Sequence, residues 1–293
     1  MYNVKILTVC CAVIILAGCR EPDVRSKAES GDPVAQHELG RAYYDGKGVV
    51  KNDVQAFSWY RKAADQGYAP SQGELGFMYH NGYGVSKDLS EALKWYLKSA
   101  VQGDDGAAYQ LGKMYAFGHG VLIDYVEAYA WFLCAGSSEA KELGSKMASD
   151  HVSLAELRYQ TILREISRAT FKAAEGGGVK EKLRHGGILL SLGDYSLAMQ
   201  WFLGLAKQGN PDAQCVLGMM YYKGMGMPQN YTNYVESYAW FNLAVAGGSL
   251  DAKKQINSFS EQMSPELVFQ GQARSKVILR EIEANMATKK NGK

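Results

Sequence analysis

The chain is poor both in residues that break helices and in residues that perform chemistry. Six prolines in 293 residues leave room for long helices, because an internal proline removes a hydrogen bond and clashes with the preceding turn. No apolar run reaches the roughly 20 residues needed to span a bilayer; the stretch from Ile6 to Ala17 stops short. Of five cysteines, Cys10 and Cys11 lie in that stretch and Cys19 follows it, so only Cys134 and Cys215 serve the rest of the chain. These two are expected to be buried free thiols, since they fall in segments that are not neighbours. Neither sign of charge dominates. A net charge of +2 gives no basic face of the kind nucleic acid requires, so no nucleic-acid partner is expected. The five histidines, His37, His80, His119, His151 and His185, show no metal-ligand spacing, and Gly46-Lys47-Gly48 lacks the rest of a phosphate loop. There is no Gly-x-Ser-x-Gly nucleophile elbow. The expectation is a non-enzymatic chain with no metal and no cofactor.

What is abundant is repetition. Trp59, Trp95 and Trp131 stand 36 residues apart. Leu39-Gly40 recurs as Leu75-Gly76 and Leu111-Gly112, Tyr43 as Tyr79 and Tyr115, and Ala56 as Ala92 and Ala128. Gly46-x-Gly48-Val49 recurs as Gly82-x-Gly84-Val85 and Gly118-x-Gly120-Val121. A later copy has Leu217-Gly218, Tyr221, Gly224, Gly226 and Trp240, with about three extra residues near Asn230 to Thr232. A fixed step of this length marks a stacked array of supersecondary units.

Each position has a physical reading. Ala35, Leu39 and Tyr43 step by four and form one face of a first helix. Gly40 permits close approach of a neighbouring helix, and Gly46 suits the left-handed residue that ends the first one. Asp88-Leu89-Ser90-Glu91 and Asp124-Tyr125-Val126-Glu127 have capping-box spacing, and Asn52 and Asn233 open weaker versions. A second helix is expected to bury Ala56, Trp59, Tyr60 and Ala63 and to end at Gly67; Gly103 and Gly209 end its counterparts. Asp32-Pro33 and Asn210-Pro211 read as a cap followed by proline at the first helical position. Less regular hairpins fill the gaps. One begins with Ala140 to Met147, and its second helix is expected to start at the Ser153-Leu154-Ala155-Glu156 box and run towards Ala174. Tyr125 to Phe132 looks duplicated as Tyr234 to Phe241, each copy followed by Ile-Leu-Arg-Glu-Ile, at Ile162 to Ile166 and Ile278 to Ile282. The count is about seven hairpins, with a bend at Gly176-Gly177-Gly178.

The pattern Leu-Gly-x-x-Tyr-x-x-Gly-x-Gly-Val, then Ala-x-x-Trp-Tyr-x-x-Ala-Ala-x-x-Gly, resembles Sel1-like repeats, relatives of tetratricopeptide repeats. The clear units cover residues 31 to 136 and 209 to 247. The resemblance implies an all-α, right-handed α-solenoid used as an interaction scaffold.

The N-terminus reads separately. Lys5 and the apolar run behave as a secretory signal, and Leu16-Ala17-Gly18-Cys19 resembles the lipobox of bacterial lipoproteins. That resemblance implies cleavage before Cys19, acylation of its thiol and, with Arg20 next, delivery to the outer membrane. The expected organisation is a signal peptide over 1–18, a polar tether over 19–28, repeat sub-arrays over 29–175 and 176–286, and a basic tail over 287–293.

In tetratricopeptide geometry the first helix of each hairpin lines a concave face. The positions facing it are His37, Arg41, Tyr44 and Asp45; Gly73, Phe77, His80 and Asn81; Tyr109, Lys113, Ala116 and Phe117; and Cys215, Met219, Tyr222 and Lys223. Tyr44, Arg41, Phe77, His80, Tyr109, Lys113 and Tyr222 are the candidate partner-binding residues, with aromatic anchors for a peptide and cations for its carboxylates. The expected partners are other proteins or peptides, with the membrane reached through the lipid at Cys19. A periplasm-facing adaptor is the leading expectation. A host-contact factor and a cell-wall-active or β-lactamase-like penicillin-binding protein are the alternatives, and the oligomeric state stays open.

Overall fold

The computed structural model describes residues 21–227, 232–261 and 263–291. Cys19, the apolar run before it and the extra loop residues 228–231 lie outside the described residues. Among the described residues there are fifteen α-helices and no strand. In chain order they are α1 (Glu21–Glu29), α2 (Pro33–Asp45), α3 (Asp53–Asp65), α4 (Ala69–Asn81), α5 (Leu89–Ala100), α6 (Asp105–Phe117), α7 (Tyr125–Cys134) and α8 (Ser138–Gly144). There follow α9 (Ser149–Gly176), α10 (Val179–Ser191), α11 (Tyr195–Ala206), α12 (Pro211–Lys223), α13 (Tyr234–Ala246), α14 (Leu250–Ser260) and α15 (Pro265–Asn291). After α1, the pairs α2–α3, α4–α5, α6–α7, α10–α11 and α12–α13 pack together as hairpins, while α8 packs on α7 and both α14 and α15 pack on α13.

The chain starts and stops these helices where its polar side chains satisfy the unpaired backbone groups. Asp32 accepts from the Val34 and Ala35 amides, Asp88 from Ser90 and Glu91, and Asp124 from Val126 and Glu127. Asn52, Asn210 and Asn233 cap α3, α12 and α13 in the same way. The Ser153 box does not open a helix: α9 has already begun at Ser149, and the Ser153 hydroxyl donates back to the Ser149 carbonyl.

Within a hairpin, the glycine of each Leu-Gly pair meets the aromatic residue that follows the tryptophan. A Cβ at Gly40, Gly76, Gly112 or Gly218 would stand 2.5–2.8 Å from the ring of Tyr60, Tyr96, Phe132 or Phe241 respectively. Between hairpins the second glycine of Gly-x-Gly sets the spacing. Gly84 has φ +65°, and a Cβ there would stand 2.1 Å from the Asp53 carbonyl oxygen at the start of α3. Gly120 meets Leu89 and Gly226 meets Tyr195 in the same manner. A ladder of amides adds to this. Gln36, Gln72 and Gln214, all buried, donate to the carbonyls of Ala28, Ala64 and Ala206, and Gln66 and Gln102 donate to Gln36 and Gln72.

Trp95 and Trp240 pack on the hairpin before their own. Trp95 joins Ala56, Tyr60 and Ala64, and Trp240 joins Ala198, Phe202 and Leu205. Trp59 is only half-buried, contrary to the expectation, because the short α1 stands in for a preceding hairpin. Within the segment 19–28 read as a tether, residues 21–28 belong to that helix. Val24 and Ala28, four residues apart, lie on Ala35 and Leu39, and Arg25 donates to the Tyr43 hydroxyl at 2.9 Å.

The chain divides into two compact units, 1–166 and 167–293. The division falls inside α9 and not at the glycine run, which forms a short connection between α9 and α10. The duplication extends to the ion pairs. Arg158 bonds Glu127 at 2.6 Å, and Arg274 bonds Glu236 at 2.5 Å. Each arginine stands four residues before its Ile-Leu-Arg-Glu-Ile segment. Burial, followed by the adjacent Glu127 or Glu236, pushes the Tyr115 and Tyr221 hydroxyls above their ordinary range. Cys134 and Cys215 are free but only partly buried, and burial raises the Cys134 thiol to about 12.

Candidate functional site

The first helices of the first unit, α2, α4 and α6, carry six of the seven candidate residues. The structure gathers them in two places and leaves others aside. Tyr44 and Phe77 meet edge to face at 6.3 Å, and Tyr83 closes the group at 6.2 Å from Tyr44 and 5.6 Å from Phe77. Lys51 sits over the Tyr44 ring at 5.2 Å. Tyr83 was missed as a site residue. It is the residue between the glycines of Gly82-x-Gly84, a position that projects from the turn and that periodicity arguments for helices do not reach.

The second place is a cleft of about 710 Å³ between α6 and α8. Tyr109, Phe117, Tyr125, Phe132 and Leu143 supply apolar walls, and Lys113, Glu139, Glu142 and Lys146 line its polar edge. The Tyr109 hydroxyl donates to Glu139 at 2.9 Å, and Lys113 stands 5.6 Å from the Tyr109 ring. The Glu139 carboxyl is held below its ordinary range, first by its own backbone N–H and then by Tyr109. Phe117 is 62% exposed, and Leu122 and Ile123 in the loop that follows are exposed as well.

A third, smaller cleft of about 350 Å³ lies between α4 and α6 and is lined by His37, Glu74, Phe77, Tyr96, Asp104 and Gln110. His37 bonds the Ser71 hydroxyl at 3.0 Å. Glu74, directly before Leu75, is not one of the positions taken as groove-facing, yet it lines this cleft.

The remaining candidates do other things. His80 turns onto His119 and Tyr96, with ring centroids 5.8 and 6.4 Å away, and burial lowers its pKa. Arg41 pairs with Asp45 at 3.7 Å and lines an edge cleft with Val24 and Arg25. Tyr222 belongs to the second unit, where it packs edge to face on Phe259 at 5.1 Å and tilts against Tyr234. Among the described residues no group of three or more His, Cys, Asp or Glu side chains could hold a metal ion. No described helix is long and apolar enough to cross a membrane.

Fold and faces together define a helical-hairpin repeat array. The Sel1 repeat family matches residues 33–68, 69–104, 106–138, 184–210 and 211–249, more than half of the chain. The protein therefore belongs to the Sel1 repeat family, whose members are typically protein–protein interaction scaffolds. None of the curated proteins matches it. Among solved structures it is similar to a protective antigen present in uropathogenic Escherichia coli strains, which displays an SLR fold. The two are 24% identical over 90% of this chain and 73% of the antigen, with a TM-score of 0.38. It is also similar to a Sel1 repeat protein from Oxalobacter formigenes, 43% identical over 41% of this chain and 92% of that one, with a TM-score of 0.38.

Proposed function

We propose that this protein is a non-enzymatic envelope scaffold, held by a lipid at Cys19 on the periplasmic face of the outer membrane. It captures segments of other proteins on the first-helix face of its first unit. The observation that carries the binding part is the Tyr109–Phe132 cleft. It combines aromatic walls, a lysine, and a tyrosine hydroxyl fixed by a carboxylate in one recess of about 710 Å³. Rigid aromatic surface beside a few oriented polar groups is the composition of interface anchor sites. The anchor rests on the Leu16-Ala17-Gly18-Cys19 motif, since several acyl chains hold a protein where one alone is marginal.

Crosslinking of the lipidated protein in its own envelope tests the binding face. Tyr109→Ala with Lys113→Ala is expected to reduce captured protein at least tenfold, with an unchanged helical spectrum. Undiminished capture by a folded variant removes this face from the function. Cys19→Ser is expected to release the protein from membranes, and continued acylation and sedimentation of that variant would exclude the anchor. Protease added to intact cells should leave the protein whole; cleavage would place it on the surface.

A further inference from the structure

Glu74 lines the smaller cleft together with the rings of Phe77 and Tyr96. Its carboxyl has no hydrogen bond and no ion pair among the described residues. Burial pushes its pKa up; Arg41 opposes this, and Asp104 and Asp45 add to it. Asp104 lines the same cleft, but its hydrogen bonds are committed. One oxygen accepts from the Gly106 and Ala107 amides, the other from the Ser99 hydroxyl. Its charge remains. The cleft thus brings two carboxylates and two aromatic rings together, with Arg41 as the cation acting on Glu74. Two carboxylates beside aromatic faces make a half-open cleft that attracts a cation, and the Glu74 carboxyl has no hydrogen bond of its own to give up on pairing with one. Guanidinium suits the place best, because it binds a carboxylate through parallel N–H bonds and stacks on aromatic faces.

The larger cleft begins on the other side of the same helix. Ala107 and Gln110 of α6 face the Glu74 cleft, while Tyr109 and Lys113 face the Phe132 cleft. Packed helices lie about 8–10 Å apart, which an extended chain crosses in about three residues at about 3.3 Å each. The larger cleft suits an apolar side chain: its walls are aromatic and aliphatic, and its edge balances Lys113 and Lys146 against Glu139 and Glu142.

We propose that the Glu74 cleft binds an arginine side chain of an extended partner segment, whose apolar side chain about three residues away fills the Tyr109–Phe132 cleft. This rests on the binding face proposed above and specifies its ligand as a segment carrying a cation, two spacers and an apolar residue.

The test is fluorescence anisotropy on the full chain with labelled, end-blocked peptides. The probes are Ser-Gly-Arg-Ala-Ala-Phe-Gly-Ser, its reversed order Ser-Gly-Phe-Ala-Ala-Arg-Gly-Ser, and versions of both with citrulline for arginine. Citrulline keeps the shape and removes the charge. At least one arginine peptide is expected to bind ten times more tightly than its citrulline twin. Glu74→Gln should abolish that difference and leave citrulline binding unchanged. Equal binding of the twins, or an arginine preference that survives Glu74→Gln, overturns the proposal. The peptide substitution needs no change in the protein, so misfolding cannot mimic the result. Citrulline peptides that bind and lose affinity in Tyr109→Ala would leave the binding face standing while the arginine site falls. Absence of binding by every peptide overturns the arginine site, and the envelope crosslinking then judges the face independently.

Discussion

A hydrogen atom in place of a methyl group at residue 84 lets the loop between α4 and α5 rest on the first turn of α3. Two costs meet there when a Cβ is added. The backbone holds φ at +65°, and the new atom would lie 2.1 Å from the Asp53 carbonyl oxygen. Gly67 separates the two costs: its φ is +87°, but nothing lies within 4 Å of a Cβ. Gly67→Ala is therefore expected to cost only the left-handed strain, about 1 kcal/mol. Gly84→Ala should cost about 3 kcal/mol, because the loop must also move off its neighbour. Urea unfolding of the two variants measures the difference, and equal losses would mean that the loop contact does not set the repeat spacing. A second residue breaks the repeat. His185 occupies the place held by Leu39, Leu75, Leu111 and Leu217, next to Gly186. It is buried, 5.1 Å from the Trp201 ring and 5.6 Å from Phe171; its Nδ1 lies 3.2 Å from the Thr170 hydroxyl, and its Nε2 has no partner. Burial lowers its pKa below the ordinary 6.5. The unfolded chain therefore binds the proton first as pH falls, and stability drops from pH 6.5 downwards until the folded pKa is reached. His185→Leu should flatten that part of the melting temperature against pH; an unchanged profile would exclude His185 as a source of acid sensitivity.

At the scale of helices, the duplicated segments carry the same long-range device. Arg158 to Glu127 ties α9 to α7, and Arg274 to Glu236 ties α15 to α13. Glu127 and Glu236 are 22% and 18% exposed at the side chain, so solvent screens these pairs less than a surface pair. Glu236→Ala is expected to cost about 1 kcal/mol, because Arg274 is 39% exposed at the side chain and remains solvated. A double-mutant cycle with Arg274→Ala should return a coupling of about 1 kcal/mol, in both copies. A coupling near zero would reduce the pair to a by-product of packing. These helices also show what a sequence reveals about its fold. Caps such as Asp88 and Asp124 were legible because a short acidic side chain bonds amides two or three residues away, wholly within a local window. The Leu-Gly glycines were legible as close approaches, though not their partners. The start of α9 was not legible, because Ser153 competes with an earlier start at Ser149. Nor was α1, whose two apolar side chains gain a helix only by lying on Ala35 and Leu39. Of the candidate site, the placement of Tyr44, Phe77 and Tyr109 on the first-helix face could be read from the register. Glu74 and Glu139 could not, because their roles depend on which neighbouring helix each faces.

For the molecule as a whole, the repeat logic makes stability a sum over neighbouring hairpins, so the same substitution has different consequences along the array. Trp95 has hairpins on both sides and is 4% exposed, whereas Trp59 has only α1 before it and remains half-buried under Lys62. Trp95→Ala should cost about 3–5 kcal/mol, the range for a large aromatic removed from a core. Trp59→Ala should cost less than half of that, since part of its ring is already in water. Both residues lie in the first compact unit, while Leu217, Met220 and Trp240 share a separate apolar cluster in the second. Hydrogen exchange should therefore show lost protection in α3 to α5 for Trp95→Ala, with protection in α12 and α13 retained. Equal loss in both units would mean that the array melts as one cooperative block, and nearest-neighbour contacts such as Gly84 on Asp53 would then not be the level at which this chain is held together.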